Sequence, residues 1–175
     1  MKKIIFIILF ILLFIIAGNI GEAKVIIPNE SIRLRVIPNS NNEEDQKVKL
    51  KLKNELQNSV TNIIKDANDI NEAEKLINDN LDEINKQIQK FLLNEKSDLN
   101  YKINFGYNYF PKKVYNNVTY NEGYYESLVV TLGKGQGDNW WCVLFPPLCL
   151  MEAEESDTVE YTSIIKEIID KYKKS

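Results

Sequence analysis

The stretch DNWWCVLFPPLCL, residues 138–150, restricts the fold of this chain more than any other part of the sequence. It holds the only two Trp and the only two Cys residues of the chain, together with a Pro-Pro pair. Proline ends helices and interior strands, so no long regular element can run through this pair. Gly133, Gly135 and Gly137 stand just before the stretch and predict a structural turn.

A phosphate-binding role for these glycines has little support. A P-loop requires Gly-Lys-Ser/Thr at the start of a helix, and the dinucleotide motif requires G-x-G-x-x-G at the same place. Here Asp138, Asn139 and Trp140 follow the last glycine and the Pro-Pro pair comes soon after, so no long helix begins. We therefore expect a sharp turn rather than an anion site.

The N-terminal residues predict export. Two lysines precede the uninterrupted apolar residues 4–17, and Gly21 and Ala23 are the small residues of a cleavage site. The apolar segment is short compared with the roughly 20 residues of a membrane-spanning helix. We therefore predict a Sec-type signal peptide over 1–23 and a single globular domain over 24–175; an uncleaved N-terminal membrane anchor is the alternative.

Export favours a disulfide between Cys142 and Cys149, which are seven residues apart. Closure brings the two α-carbons within roughly 7 Å, so the chain has to reverse between them. A turn over 143–145 or a cis Phe145–Pro146 bond would achieve this reversal. Two unpaired buried thiols are the alternative, whereas a redox thiol is disfavoured because the spacing is not C-x-x-C.

Histidine is absent, which excludes Ser-His-Asp and Cys-His catalysis and also His-based zinc sites. Carboxylate-pair hydrolysis and Ser-Lys chemistry remain compatible with the composition. The formal net charge is −3, from 22 basic and 25 acidic residues, so nucleic acid is not an expected partner. We expect no catalytic residue, no cofactor and no metal ion.

The spacing of apolar residues predicts an α+β fold. Residues 31–37 alternate like a strand, with Arg33 and Arg35 on the face opposite the apolar side chains. Apolar residues then recur at helical spacing from about 43 to 65, directly after the N-cap candidate Asn42. The first strand is therefore followed by a long helix.

A second helix is predicted from the capping-box spacing of Asp69 and Glu72 and from a long apolar stripe after them. Residues 99–109 have the alternation of a strand, and 124–132 predict another strand, which is fairly apolar and therefore central. A last helix begins at about residue 158. The expected architecture is a helical hairpin packed on a small, mainly antiparallel sheet, followed by a C-terminal helix.

The apolar side chains within 140–148 belong either to the core or to a contact surface. A single aromatic residue is usually core. A glycine-rich approach, two prolines and a disulfide indicate an ordered loop, however, and a loop rarely buries so much apolar area. Rigid aromatic side chains that stay exposed mark sites for a partner or a membrane. We favour a partner site and predict as its contact residues Trp140, Trp141, Phe145, Pro146 and Pro147, with Lys112 and Lys113 at its rim.

Three segments of the sequence resemble the stage II sporulation protein R family: RLRVIPNSNNEEDQKVKLKLKNEL (33–56), FPKKVY (110–115) and GYYESLVVTLGKGQGDNWWCVLFPPLCL (123–150). The resemblance spans most of the chain after the predicted signal peptide, and its G-x-G-x-N-W-W-C-V-L-F-P-P-L-C block is highly specific. The chain departs from the family pattern at Pro38, Glu43 and Val129, and these changes leave the resemblance intact.

The resemblance implies a signalling protein without catalytic activity of its own. Such a protein would be made in the forespore of an endospore-forming bacterium and exported into the space between forespore and mother cell. There it would activate a membrane-embedded, aspartic-type peptidase that cleaves pro-sigma-E. The expected partner is this peptidase, and a contact with the membrane surface is a further expectation.

Two rival functions stay open. An exported cell-wall hydrolase would use carboxylates, for which Glu122 and Glu126 near the glycines are candidates. A structural envelope protein would keep residues 4–17 as a membrane anchor. Substitution of each acid in turn, and membrane fractionation, would separate these rivals from the activator.

Overall fold

The computed structural model describes residues 25–115, 118–149 and 158–172, which form four helices and seven strands. The helices are α1 (Glu43–Ile64), α2 (Ile70–Asp79), α3 (Leu81–Asn94) and α4 (Thr158–Tyr172). The strands are β1 (Val25–Ile26), β2 (Ile32–Ile37), β3 (Tyr101–Phe110), β4 (Lys113–Tyr115), β5 (Val118–Tyr120), β6 (Gly123–Leu132) and β7 (Trp140–Phe145). Within this part of the chain, no helix has the length and apolar character needed to cross a membrane. The predicted signal peptide lies outside the described residues.

Four strands form the central sheet, in the order β3-β6-β2-β7. β6 pairs with β3 in antiparallel and with β2 in parallel orientation, and β7 lies antiparallel to β2 at the other edge. The three predicted strands are confirmed to within two residues at each end, and β6 is central as predicted. Three of the five strand pairings among the described residues are antiparallel.

Helix α1 begins where its sequence predicts. Asn42 is the N-cap, and its side chain accepts a hydrogen bond from the backbone N–H of Asp45 at 2.7 Å. Three acidic residues in the first turn interact favourably with the positive end of the helix dipole. The helix buries its apolar stripe in the main core, through Leu52, Leu56, Val60 and Ile64.

The second predicted helix is in fact two helices. Asp69 caps α2 by accepting from the backbone N–H of Glu72 at 2.8 Å, as the capping-box spacing predicts. Asn80 then leaves helical backbone angles, and its side chain donates to the carbonyl of Leu76 at 2.8 Å. The apolar stripe continues across this break, and its buried members are Ala73, Ile77, Ile84, Ile88, Phe91 and Leu92. The predicted helical hairpin packed on a sheet is therefore confirmed, with one additional break.

The prediction of a loop over the Trp-rich stretch is wrong, because Trp140–Phe145 form the edge strand β7. The two prolines that argued against a strand follow its last residue, where no further ladder hydrogen bond is needed. As a strand, the segment alternates its side chains between the two faces of the sheet. It thereby buries apolar area that a loop would have left exposed.

A second layer partly covers the other face of the central sheet. β1, β5 and β4 form a small three-stranded sheet in that order, and α4 contacts β1. A separate buried cluster joins these elements to β7 and the turn after it; it consists of Ile27, Val118, Val143, Leu148, Ile165 and Ile169. The C-terminal helix begins at residue 158 as predicted. The strands of the small sheet are two or three residues long, which is too short for a period to be recognised.

Candidate functional site

The two neighbouring indoles lie on opposite faces of the central sheet, because successive side chains of a strand alternate. Trp140 packs against the main core, with the ammonium group of Lys53 at 4.8 Å from the centre of its ring. Trp141 lies on the other face, where it contacts rings from β3 and β5. Both indoles are half-buried. A single flat contact surface therefore cannot include both, although the sequence suggested one site for the pair.

A polar stripe on α1 forms hydrogen bonds with both ends of residues 138–149, the segment that contains the indoles. Its members are four residues apart and buried: Asp45, Lys49, Lys53 and Gln57. The ammonium group of Lys49 donates to the carbonyl of Asp138 at 3.0 Å, and the amide of Gln57 donates to the carbonyl of Cys149 at 2.6 Å. Hydrogen bonds are stronger in such a buried setting than in water. Helix α1 thus fixes both ends of this segment.

The glycine-rich turn packs closely against the segment between β2 and α1. Gly133 and Gly135 have φ angles of 54° and 64°, in the left-handed region that favours glycine. At Gly137 the reason is a close approach: a Cβ atom there would lie 2.2 Å from the carbonyl oxygen of Ser40. The three glycines therefore allow a turn that passes directly over another stretch of backbone.

Asp45 ties the segment between β2 and α1 to the helix. Its carboxylate accepts hydrogen bonds from Asn39 Nδ2 at 2.9 Å, Ser40 Oγ at 2.6 Å and Asn42 Nδ2 at 3.0 Å. Asn39 in turn accepts, through its side-chain oxygen, from the backbone N–H of Lys134 at 3.0 Å. The two longest segments that resemble the family therefore pack against each other as one hydrogen-bonded unit.

Cys142 and Cys149 form the predicted disulfide, and their α-carbons are 5.2 Å apart. The chain reverses between them through a cis Phe145–Pro146 bond, one of the two routes expected from the sequence. Of the predicted contact residues in this turn, Phe145 and Pro146 are buried and Pro147 is half-buried. Phe145 and Pro146 present no surface to a partner in this structure, because the strand and the turn bring them into the core.

Around Trp141, two arginines and several aromatic rings form a stack. The guanidinium carbon of Arg33 lies 3.3 Å from the centre of the Tyr125 ring and 5.0 Å from that of Trp141. The ring of Phe110 packs edge-on against Trp141 with centres 5.3 Å apart, and the guanidinium carbon of Arg35 lies 3.8 Å from the Phe110 centre. Desolvated cation–π contacts contribute about 2 kcal/mol each. These five residues are called the arginine–aromatic cluster below.

The cluster contains a buried guanidinium without hydrogen-bond partners. Arg33 is fully buried, and none of its three nitrogens has a partner; the group lies over the face of Tyr125, whose hydroxyl donates to the carbonyl of Asn121 instead. Burial lowers the pKa of Arg33 to about 10 and also lowers the pKa of Arg35. Arg35 donates to the carbonyl of Tyr109 at 2.7 Å. Among the described residues, no carboxylate forms an ion pair with either arginine.

Lys112 and Lys113, the predicted rim residues, are exposed at the start of β4. The ammonium group of Lys113 lies 5.4 Å from the centre of the Trp141 ring. The structure therefore brings Trp141 and the two lysines to one place on the surface. It leaves Trp140 on the opposite face.

The buried Arg33 and the half-buried Arg35 are the part of this site that sequence reasoning missed. Alternation along β2 puts Arg33 and Arg35 opposite the apolar side chains, which is typical of a solvated face. The signal that pointed the other way is the density of aromatic residues in 105–110 and 120–125, because ring faces can accommodate guanidinium groups. Only the tertiary structure shows which rings cover which arginine.

Comparison with known proteins identifies the family of the chain. Residues 28–155 match the family described as Stage II sporulation protein R. The chain is also similar to the Stage II sporulation protein R of Bacillus subtilis (strain 168), with 34% identity over 171 residues, covering 91% of this chain and 76% of that protein. No solved structure matches the chain. Since the match covers most of the chain, including the arginine–aromatic cluster and the disulfide, this protein belongs to the Stage II sporulation protein R family and has a role in sporulation.

Proposed function

We propose that this chain is an exported, non-catalytic activator of a membrane-embedded peptidase that processes pro-sigma-E during endospore formation. Family membership supports a sporulation role. The peptidase and its substrate come from the resemblance of 33–56, 110–115 and 123–150 to the family. Of the contact residues predicted from the sequence, we propose Trp141 as the docking residue because of its position on the surface.

The position of Trp141 is the observation that most directly supports docking. Its indole is half-exposed, while its strand is held by pairing with β2, by the disulfide and by the contact with Arg33. A side chain that is already rigid loses little conformational entropy on binding, and Trp is enriched among the residues that dominate binding energy. A partner would therefore gain most from contact with Trp141.

Export into the space between forespore and mother cell is part of the same proposal. Residues 1–23 have the charge and apolar pattern of a Sec-type signal peptide. The bond between Cys142 and Cys149 agrees with an oxidising compartment outside the cytoplasm. In that space, the chain would meet the peptidase from outside the mother cell.

The hydrolase alternative gains no support from the positions of its two carboxylates. Glu122 is exposed just before β6, and Glu126 is half-buried within it. The carboxylate of Glu122 accepts a hydrogen bond from the hydroxyl of Tyr109 at 3.4 Å, and among the described residues no contact joins it to the carboxyl group of Glu126. Burial, followed by the neighbouring Glu74, raises the pKa of Glu126. Because Glu74 belongs to α2, the second carboxyl faces the helix layer.

Co-expression of the chain with the peptidase and pro-sigma-E tests the activator role. The wild type should produce the cleaved sigma factor. Trp141→Ala should lower the cleavage rate at least about tenfold, because loss of a central indole costs about 2 kcal/mol or more in such interfaces. The measurement is the rate of appearance of the shorter sigma factor, normalised to folded activator.

The neighbouring tryptophan provides a matched control. Trp140→Ala makes the same chemical change one residue away, on the core side of the sheet, and should retain cleavage once folded protein is equalised by thermal unfolding. If pro-sigma-E is not cleaved in the presence of the folded wild-type chain, the activator role is ruled out. Full activity of folded Trp141→Ala would remove Trp141 as the docking residue and leave the role in place.

A further inference from the structure

Positive charge gathers around the exposed part of Trp141, although the chain as a whole carries a formal charge of −3. The guanidinium carbon of Arg33 and the ammonium nitrogen of Lys113 lie 5.0 Å and 5.4 Å from the centre of its ring. Arg35 is the register partner of Trp141 on β2, and Lys112 is exposed next to Lys113. Two cations therefore contact one half-exposed indole, and two more lie next to it in the sheet or the chain.

This charge is not balanced within the described part of the chain. The nitrogens of the buried Arg33 have no hydrogen-bond partner, and the Nε atom of Arg35 also lacks one. Glu122, on the connection before β6, accepts from the hydroxyl of Tyr109 at 3.4 Å and from neither arginine. Because an uncompensated buried charge disfavours the folded state, a negative charge brought by another molecule would be bound favourably here.

We infer that the docking site around Trp141 binds an acidic segment of the partner protein, a stretch with two or more Asp or Glu side chains. This inference rests on the proposed activator role and specifies the chemistry of its partner. The carboxylates contact Lys112 and Lys113, while an apolar side chain of the same segment packs on Trp141. Arg33 and Arg35, which lie beneath, contribute positive potential without direct contact.

An acidic protein segment fits this site better than an anionic bilayer does. The net negative charge of the chain opposes approach to an anionic surface, and each lysine near such a surface contributes only about 1 kcal/mol. The apolar surface at the site is the exposed part of one indole, and stable membrane attachment requires more than one such signal. Protein interfaces are instead enriched in Trp and Arg and are surrounded by a polar rim, where Lys112 and Lys113 would lie.

Charge reversal at the rim tests this inference. In the co-expression assay, Lys112→Glu/Lys113→Glu should lower the cleavage rate at least about tenfold, because like charges would then face each other. The matched control is Lys86→Glu/Lys90→Glu, which changes the net charge equally at exposed positions of α3. This control should change the rate by less than about twofold, because exposed charges away from the contact contribute little.

Arg33→Met separates a role in binding from a purely structural one. Methionine keeps an apolar chain within the ring stack and removes the charge, so the unfolding temperature should stay level or rise. The cleavage rate should nevertheless fall at least about threefold, because the positive potential around Trp141 is weaker. A stable Arg33→Met variant with wild-type cleavage would show that the charge serves the fold alone.

The results distinguish the activator role from the inference that the partner segment is acidic. Failure of the folded wild type to trigger cleavage removes the activator role and the inference together. If the wild type and Lys112→Glu/Lys113→Glu both give a normal rate of pro-sigma-E cleavage, the activator role stands and only the acidic partner segment is ruled out. Cosedimentation with phosphatidylglycerol vesicles should be absent; if the wild type sediments with them and Lys112→Glu/Lys113→Glu does not, the site binds lipid and the inference is wrong.

Discussion

On the helix-covered face of the central sheet, Leu34 and Val36 are fully buried in the main core, whereas on the opposite face of the same strand Arg33 and Arg35 lie among aromatic rings. The first face stabilises the fold by removing apolar area from water. The second also removes charge from water, and cation–π contacts offset only part of that cost. The helix-covered face thus supplies stability, and the arginine-bearing face is the one at which we propose that a partner is recognised.

The same contrast applies to the two indoles. Trp140 is part of the face that packs against α1, and Trp141 is part of the face that carries the arginines. Adjacent residues of identical type therefore lie in different environments, because successive side chains of a strand point to opposite faces of the sheet. A double substitution of both would mix a loss of stability with a loss of binding surface, which is why the two must be changed separately.

The largest expected effect is on the helix-covered face. Leu34→Ala should lower the free energy of unfolding by about 2–5 kcal/mol, because it removes a fully buried side chain and leaves a cavity. Urea unfolding at constant pH measures this loss. The neighbouring Arg33→Met should change the free energy by no more than about 1 kcal/mol, since the lost cation–π contacts and the relieved burial of charge offset each other. Equal losses in both variants would contradict the contrast between the faces.

An intermediate effect is expected where the two faces meet at the disulfide turn. Cys142 packs with the main core, whereas Leu148, inside the disulfide loop, belongs to the second cluster. Cys142→Ser/Cys149→Ser should lower the free energy of unfolding by about 2–3 kcal/mol, because a short closed loop is released in the unfolded chain. Reductant should lower the stability of the wild type equally and leave the variant unchanged. A wild type insensitive to reductant would rule out a stabilising role for the bond.

The smallest expected effect concerns the carboxyl group of Glu126. Burial and then Glu74 raise its pKa, so between the ordinary value of 4.5 and the raised value the folded state holds a proton that the unfolded state has released. Stability contributed by this group therefore falls as the pH rises through that window. Glu126→Gln should raise the unfolding temperature slightly at neutral pH, and this gain should vanish below pH 4.5.

The exposed Glu122 is the matched control for that measurement. Glu122→Gln should leave the unfolding temperature nearly unchanged at every pH, because exposed surface charges contribute little to stability. A gain for Glu126→Gln that increases as the pH falls would contradict the direction of the pKa shift. It would also mean that the helix-covered face tolerates this charge without cost.

Local pattern was enough to predict those elements whose period extends over many residues. The strand around Leu34 has a clear alternation, and 124–132 is apolar enough for a central strand. Residues 47–53 alternate like a strand, and only the longer window after Asn42 shows the helical spacing that the structure confirms. The pairing of Cys142 with Cys149 could also be predicted, because the sequence pattern of a signal peptide favours a disulfide and the chain has only these two cysteines. The break at Asn80 could not be predicted, because the apolar stripe continues through it and the helix ends there only through the backbone angles and local hydrogen bonds of Asn80.

The sequence by itself determined the family, the order of the main helices and strands, and the chemical nature of the 138–150 stretch. Tertiary structure alone decided that this stretch begins as an edge strand, that its two indoles separate, and that Arg33 is buried. The physical reason is that a strand specifies two faces but not what covers them. The rings over Arg33 come from Phe110, Tyr125 and Trp141, all far along the chain, and no local pattern encodes that contact.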